Sequence, residues 1–374
     1  MTTFIEIHAL QTVPPSNINR DDTGTPKTAV YGGVVRSRVS SQSWKRAIRE
    51  DFNRTLDPKD IGTRSRLLVA EIAKLIEQRN PDLGERAEEL AVAAMEAAGF
   101  KKPVPKAKKK EEAGTPETGY LVFLSQRQLD SLAEAAVEAS SEPNPLQALK
   151  NAKVKDLVDA DHSVDIALFG RMVADSADLN VEAACQVAHA LSVHEATPEY
   201  DFYTAVDDTR KRDEDAEDAG AGMMGTIGFT SSTLYRYAAV NVDQLTENLG
   251  NNAAVQKAVE AFLRSFVAAI PSGKQNSMAH GTRPAAVLVT VAEGQPTNLV
   301  GAFEAPVASR KGHLEPAVSK LAQHAQEVFG VWRTPKRALV SGLPSVVGPL
   351  AAVGETVSFD DVVSAVLAEI SESA

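Results

Sequence analysis

The sequence contains only one cysteine, Cys185, in 374 residues. A single thiol excludes an intramolecular disulfide and any zinc site built from several cysteines, and we expect a reducing, cytoplasmic setting. No apolar run is as long as the roughly eighteen residues that a membrane-spanning helix needs. The first residues, MTTFIEIHAL, lack the basic start of a signal peptide. We therefore expect no membrane partner.

Sequence signatures of common enzyme sites are also missing. No HExxH, GxSxG or P-loop pattern occurs, and the seven histidines are scattered along the chain. His189 and His194 lie five residues apart with no third ligand near them in sequence, which favours core or surface roles over a metal pair. The aspartate pairs at 21–22 and 207–208 could hold a divalent cation, but such pairs in loops more often cap turns. We predict a protein with no enzyme activity, no cofactor and no bound metal.

Charge is distributed unevenly along the chain. The net charge is -11, which by itself argues against a nucleic-acid partner. Residues 16–54 have the opposite balance, eight basic residues against four acidic ones, or a net charge of +4. The basic residues are Arg20, Lys27, Arg36, Arg38, Lys45, Arg46, Arg49 and Arg54, and the acidic residues are Asp21, Asp22, Glu50 and Asp51. Because local charge decides where phosphates bind, this segment predicts an RNA-binding surface.

The run SQSWKRAIREDF predicts a helix with two different faces. At 100° per residue, four polar side chains fall within about 100° of one another. They are Gln42, Lys45, Arg46 and Arg49. Trp44, Ala47 and Ile48 fall on the opposite side and should pack against a sheet. Ser40 or Ser41 supplies the N-cap, so the free N–H groups of the first turn add positive character to the same region.

The strand and the loop before this helix repeat its chemistry. Arg36 and Arg38 stand two residues apart in the alternating run VVRSRVS, which places both on one side of a strand. The preceding loop supplies Asn19, Arg20 and Lys27, residue types suited to phosphate and sugar oxygens. A solvated basic face is the ordinary alternative for the helix alone. Three adjacent elements with the same chemistry favour nucleic acid instead.

The pattern of strands and helices predicts an α+β protein. Strand and helix patterns at both ends of the chain flank a mostly helical insert, which suggests a sheet with helices on one face. The lysine-rich stretch at 101–119 predicts a surface loop. An acidic run at 213–218 predicts a solvated loop that joins two strands.

Ordered blocks of sequence closely resemble the backbone subunit of the type I-E CRISPR Cascade complex, the CasC family. These blocks are SNINRDD (16–22), YGG (31–33), RSRVSSQSWKRAIR (36–49), VDIALFGRM (164–172), AHA (188–190), YTAVDD (203–208), TLYRYAAVN (233–241), QLTENLG (244–250) and PSGKQNSMA (271–279). They keep their order across most of the chain. A match of this kind is more specific than any single motif.

The resemblance implies an RRM-like (ferredoxin-like) palm with a helical fingers insert and a thumb β-hairpin. The corresponding boundaries are 1–60 and 229–374 for the palm, 61–160 for the fingers and 161–228 for the thumb region. Members of the family polymerise along a CRISPR guide RNA and present it for pairing with target DNA. The partners implied are therefore guide RNA, target DNA through the guide, other copies of the chain and other Cascade subunits.

The resemblance also implies roles for individual residues. The expected contacts to guide RNA are Asn19, Arg20, Lys27, Arg38, Ser40, Gln42, Lys45, Arg46, Arg49, Lys274 and Gln275. Met172 and Tyr203 match the positions that displace a guide base, with ordinary core residues as the alternative. Lys150 is a possible contact to DNA, and the lysines between 101 and 110 are either a lineage-specific replacement or a solvated loop.

Two other functions are compatible with the same residues. Sister backbone subunits of RNA-cleaving CRISPR complexes use a loop aspartate, so a metal-dependent RNA endonuclease would use Asp21 or Asp22. A free-standing single-strand-binding protein would bind RNA tightly without a dedicated guide or partner subunits. The sequence favours the non-catalytic scaffold over both.

Overall fold

The computed structural model describes residues 2–105, 114–206 and 221–372. Its strands are β1 (Thr3–Ser16), β2 (Thr28–Tyr31), β3 (Val34–Val39), β4 (Gly62–Ser65), β5 (Val104–Pro105), β6 (Pro116–Glu117), β7 (Val122–Ser125), β8 (Cys185–Val187), β9 (Ala190–Ser192), β10 (Glu199–Val206), β11 (Ala221–Asn241), β12 (Ala286–Glu293), β13 (Arg337–Gly342) and β14 (Glu355–Thr356). Its helices are α1 (Ser41–Thr55), α2 (Leu68–Arg79), α3 (Ala87–Ala97), α4 (Gln126–Ala139), α5 (Pro145–Asn151), α6 (Val154–Leu157), α7 (Val164–Phe169), α8 (Val242–Leu249), α9 (Asn252–Ala268), α10 (Gln275–Met278), α11 (Leu314–Val331) and α12 (Phe359–Glu372).

The chain forms two compact units. The first comprises Met1–Ile48, Val187–Ala239 and Leu263–Glu369, and the second comprises Arg49–Gln186, Val240–Phe262 and Ile370–Ala374. Each unit is therefore assembled from separated stretches of sequence. Within the described ranges, no helix has the length and apolar character needed to cross a membrane.

The first unit is built on a mixed sheet, which confirms the α+β class. Eight of its strands follow the order β14-β13-β12-β1-β11-β9-β3-β2, and β10 also pairs with β11. The pairs β1–β12 and β12–β13 are antiparallel, whereas β13 and β14 are parallel. Strand β1 is long and almost wholly buried, as expected of a strand with covered faces.

Helices cover both faces of this sheet, so the expectation of helices on one face was wrong. On one face, α11 packs its apolar side against strand residues that include Leu10, Tyr235 and Leu288. On the other face, Trp44 of α1 packs with Val13 and Leu234. Successive strand residues point to opposite faces, and in β1 residues of both sets are buried, among them the polar Glu6 and His8. The alternation of apolar and polar residues in β1 therefore does not mark an exposed face.

A buried arginine organises the face that carries α1. Arg236 of β11 is 2% exposed, and its guanidinium lies 3.8 Å from the ring centroid of Trp44 and 4.3 Å from that of Phe266. It donates hydrogen bonds to Gln11 Oε1 at 2.6 Å and to the Phe266 carbonyl. Burial lowers the pKa of Arg236 to about 9, so the side chain stays charged near neutral pH. One cation thus links β1, β11, α1 and the end of α9.

The second unit is largely helical. Its core consists mainly of side chains from α2, α3 and α4, including Ile72, Leu90 and Leu132. Helix α4 begins with a capping box in which Ser125 and Gln128 bond each other's backbone. Two short sheets, β4–β7 and β5–β6, complete the unit. The expected fingers insert at 61–160 falls inside this unit, while the domain boundaries given above stay predictions.

Replacing Arg236 should destabilise the first unit. Arg236→Ala removes two charge-assisted hydrogen bonds and leaves a cavity between two rings, at a cost of about 3 kcal/mol or more. Arg236→Lys should cost nearly as much, because an ammonium on a flexible stem cannot lie flat between Trp44 and Phe266 while reaching both acceptors. Urea unfolding would measure both losses. A lysine variant as stable as the parent would show that the planar guanidinium is dispensable.

Candidate nucleic-acid interface

The loop between β1 and β2 is held by its own side chains. Asp21 Oδ1 accepts hydrogen bonds from the Thr23 hydroxyl at 2.7 Å and from the N–H groups of Thr23 and Thr25 at 3.0 and 2.9 Å. These bonds, led by the one from the Thr23 hydroxyl, lower the pKa of Asp21 below its ordinary value. Asp21 therefore caps a turn, as the sequence favoured.

Asn19 joins this loop to the start of α1. Its Oδ1 accepts the N–H of Ser40 at 2.8 Å, and its carbonyl accepts the N–H of Lys27 at 3.0 Å. The Lys27 carbonyl in turn accepts the N–H of Arg38 at 2.9 Å. Asn19, Lys27 and Arg38 line one narrow groove, together with Thr230. The structure thus brings several predicted residues together through backbone contacts.

A second loop, distant in sequence, reaches the same place. A Cβ on Gly273 would lie 2.5 Å from the Ile18 carbonyl oxygen and 2.8 Å from that of Asn17, so only glycine permits this approach. The contact sets Lys274 and Gln275, both exposed, beside the β1–β2 loop. The sequence predicted these two residues from the family resemblance alone. The geometry gives them a physical reason to act with Lys27.

The polar face of α1 is only partly available. Gln42 and Arg46 are exposed and Lys45 is half-buried, while Trp44, Ala47 and Ile48 are buried as predicted. A fourth member of the predicted face, Arg49, belongs to the second unit and has different surroundings. The helix period therefore predicted which side of α1 is buried, but it could not show which basic residues already have partners within the protein.

Arg49 neutralises a buried carboxylate. Its Nε donates to Asp165 Oδ2 at 2.9 Å, a second N–H donates to the Gly62 carbonyl at 3.3 Å, and the guanidinium lies 4.4 Å from the Phe123 ring centroid. The Asp165 side chain is fully buried, and it also accepts from the Ser163 hydroxyl at 2.7 Å. Arg49 is therefore a structural cation, and its predicted contact with RNA stays a prediction.

The two arginines of β3 lie on one side of the strand, as their spacing predicted, but they have different surroundings. Arg36 is fully buried, and it donates to the carbonyls of Tyr31, Ser192 and Phe303 at 2.9–3.0 Å. Arg38 is half-buried and remains near the loop. Both point to one side of the strand, but only the Arg36 end of that side is covered by a later segment of the chain.

His189 is a residue that the sequence did not assign to the site. Its Nδ1 lies 3.1 Å from an N–H of Arg38, and burial, followed by the charges of Arg38 and Lys27, lowers its pKa. A neutral imidazole can accept from Arg38 and orient it. The block AHA was a signal of family resemblance and carried no indication of this contact.

Strands β10 and β11 pair antiparallel, and β10 lies in the region that was predicted to be the thumb. Tyr203 pairs with Gly225 across the hairpin, and a Cβ on Gly225 would lie 2.6 Å from the Tyr203 hydroxyl, so the ring lies flat over the opposite strand. Tyr203 is 43% exposed, and Tyr200 and Phe202 are each 61% exposed. Met172, in the second unit, is 83% exposed. Neither predicted base-displacing residue is a core residue.

The remaining predicted positions give a mixed result. Lys150 is exposed and lies 4.0 Å from a carboxylate oxygen of Glu96, a weak pairing. Lys155 pairs with Asp178 and passes close to Gly99, which precedes Lys101 and Lys102 in the chain. Most of the other lysines up to 110, the acidic run at 213–218 and the aspartate pair at 207–208 lie outside the described residues. Among the described residues, no group of three or more His, Cys, Asp or Glu could hold a metal ion.

Breaking the ion pair of Asp165 should destabilise the second unit strongly. Asp165→Ala leaves Arg49, the Ser163 hydroxyl and the Gly62 N–H without their acceptor, at a cost of about 3–5 kcal/mol in the free energy of unfolding. The matched control is Asp82→Ala at an exposed position, which should change that free energy by less than about 0.5 kcal/mol. Equal losses in the two variants would contradict the structural role of Arg49.

Comparisons with known proteins agree on one family. A family model described as CT1975-like protein matches residues 5–365. A solved chain from a CRISPR RNA-guided surveillance complex in a pre-nicking state is 36% identical over 97% of this chain and 99% of that chain, with a TM-score of 0.83. A chain from a second CRISPR RNA-guided surveillance complex is 32% identical with the same coverage and a TM-score of 0.73. The curated proteins contain no match. With nearly its whole length matched in sequence and fold, the chain belongs to the CT1975-like family.

Proposed function

We propose that this chain is a non-catalytic backbone subunit of a type I-E Cascade complex, which polymerises along a CRISPR guide RNA and presents it to target DNA. The observation that carries the proposal is the meeting of the β1–β2 loop with Ser40 and with the Gly273 loop. Lys27 and Arg38 line one groove there, and Lys274 follows the glycine that contacts the β1–β2 loop. The likeness to chains of CRISPR RNA-guided surveillance complexes over 97% of this chain supports it.

The first unit would serve as the RRM-like palm. Its antiparallel strands around β1, with helices on the sheet, are consistent with that assignment. The helical part of the second unit would be the fingers, and the β10–β11 hairpin the thumb. Copies of this chain would add along the guide, in company with other Cascade subunits.

The grip would act on the guide backbone. Lys27, Arg38 and Lys274 offer cationic donors, while Ser40 directly precedes the first turn of α1, whose positive dipole end would favour an anion. Asn19 would orient the start of α1 through its hydrogen bond to Ser40, in addition to any contact of its own with the guide. Such contacts read phosphate and sugar, so binding would be indifferent to the guide sequence. The bases would remain free to pair with a target.

Met172 and Tyr203 would displace guide bases. An exposed thioether and an exposed phenol ring replace lost base stacking at modest cost, which is why apolar and aromatic side chains suit this work. Lys150, with Lys153 and Lys155 next to it on the fingers, would contact DNA by charge alone.

The endonuclease alternative fits the structure less well. Asp21 directs one carboxylate oxygen into its own turn through three hydrogen bonds, which competes with metal coordination. Asp22 is exposed beside it. Two adjacent loop aspartates, one of them engaged, are a poor ligand set for a catalytic divalent cation.

The backbone grip predicts a specific salt dependence. Lys27→Ala combined with Lys274→Ala should weaken guide binding in the assembled complex. It should also flatten the slope of log K against log salt by about 1.4 per subunit, because binding releases fewer counterions when two phosphate contacts are lost. Filter binding at several salt concentrations would measure the slope. Lys59→Ala, at an exposed position of the second unit, is the control and should leave the slope unchanged. An unaltered slope in the double variant would place the RNA elsewhere.

The absence of catalysis can be tested directly. The assembled complex incubated with RNA complementary to the guide and with Mg²⁺ should leave that RNA intact on a denaturing gel. Cleavage that disappears in Asp21→Ala or Asp22→Ala would establish the endonuclease instead. Tight binding of arbitrary single strands by the isolated chain would favour the free-standing binding protein.

A further inference from the structure

Met172 lies next to a short antiparallel β-bridge between Arg171 and Val181 in the second unit, which we call the platform. The N–H of Arg171 donates to the Val181 carbonyl at 3.0 Å, and the N–H of Val181 donates back to the Arg171 carbonyl at 2.8 Å. On the other side of Met172, the N–H of Val173 donates to Asn180 Oδ1 at 2.7 Å. The backbone is therefore fixed immediately before and immediately after Met172.

The side chain of Arg171 anchors this platform from inside. Arg171 is 4% exposed, and its Nε donates to the Leu179 carbonyl at 2.8 Å. A second N–H contacts Gln128 Oε1 at 3.4 Å. Gln128 belongs to the capping box of α4 and donates to the carbonyl of Val158 at 3.0 Å. The platform is thus tied to the helical core rather than to a surface loop.

Gly170 allows the two segments to approach. Its φ of +78° lies in the region that favours glycine, and a Cβ there would lie 2.9 Å from the Val181 carbonyl oxygen and 3.1 Å from the Cβ of Ala183. The block FGRM in the sequence is therefore a structural unit, in which glycine permits the approach and arginine fixes it. Methionine is the residue presented.

The exposure of these neighbours shows what the platform does. Arg171 and Val173 are 4% and 2% exposed, whereas Met172 between them is 83% exposed. Burial of a methionine side chain is favourable, so a mobile backbone would let the side chain turn toward a nearby apolar surface. Here the fixed backbone on both sides directs it outward. The Met172 side chain is therefore held in solvent by the contacts of its neighbours.

We propose that Arg171 and Asn180 are positioning residues, which hold the backbone on either side of Met172 and so aim its side chain at the guide bases. This inference rests on the base-displacing role given to Met172 under the proposed function. Asn180 supplies an acceptor oxygen, and Arg171 supplies a buried anchor. Neither residue needs to touch RNA.

The test uses the complete complex with its guide RNA and dimethyl sulfate probing of the guide bases. Met172→Ala should reduce the periodic reactivity of displaced bases several-fold. Asn180→Ala should reduce it at least threefold with guide affinity changed by less than twofold, since only the aim of Met172 is lost. Asn180→Asp keeps the acceptor oxygen and should restore the parent pattern. Asn53→Ala, at an exposed position, is the matched control.

The outcomes separate this inference from the function beneath it. Loss of periodicity in Met172→Ala, but full periodicity in both Asn180→Ala and Arg171→Lys, would overturn the positioning role alone. The lysine variant keeps the charge but cannot reach Leu179 and Gln128 together, so it tests the platform even where Asn180→Ala folds poorly. Reactivity without any period in the parent complex, or a period unaffected by Met172→Ala, would overturn the base-displacing role and this inference with it.

Discussion

The stacking of Arg236 between Trp44 and Phe266 is the contact on which the rest of the proposed interface depends. It fixes α1 against the sheet, and α1 carries Ser40 at its start. Through Gln11, which donates to the Thr282 carbonyl at 2.8 Å, the same cation is connected to the segment that follows Gly273. The buried charge of Arg236 therefore helps to hold both α1 and the segment that follows Gly273 in place.

The sequence predicted the local features of this site well. The 3.6-residue period of α1 identified Trp44, Ala47 and Ile48 as buried, and the Ser40 hydroxyl accepts the N–H of Ser43 at 3.4 Å, as expected of the predicted N-cap. Periodicity and capping depend on neighbours within a few residues, so one sequence contains them in full. The helices on both faces of the sheet were missed because buried polar side chains such as Glu6 and His8 give β1 the alternation of a strand that is exposed on one face.

Long-range contacts could not be predicted in the same way. Arg36 and Arg49 are two of the eight basic residues counted in the segment, yet Arg36 is surrounded by carbonyls and Arg49 pairs with a carboxylate 116 positions later. Nothing near either residue in sequence marks these partners. The approach of Gly273 to Ile18 likewise exists only in the folded chain. A count of charges along the sequence therefore overestimates the positive charge that the segment can offer to a ligand.

The flat arrangement of Tyr203 over Gly225 has a geometric consequence for the β10–β11 hairpin. The Tyr203 ring occupies the place that a side chain at Gly225 would take, so the hairpin is thin on that surface. For the base displacement proposed above, a thin hairpin would displace little volume, and stacked bases would need to separate less to admit it. The missing Cβ at Gly225 thus sets the thickness of the hairpin at Tyr203.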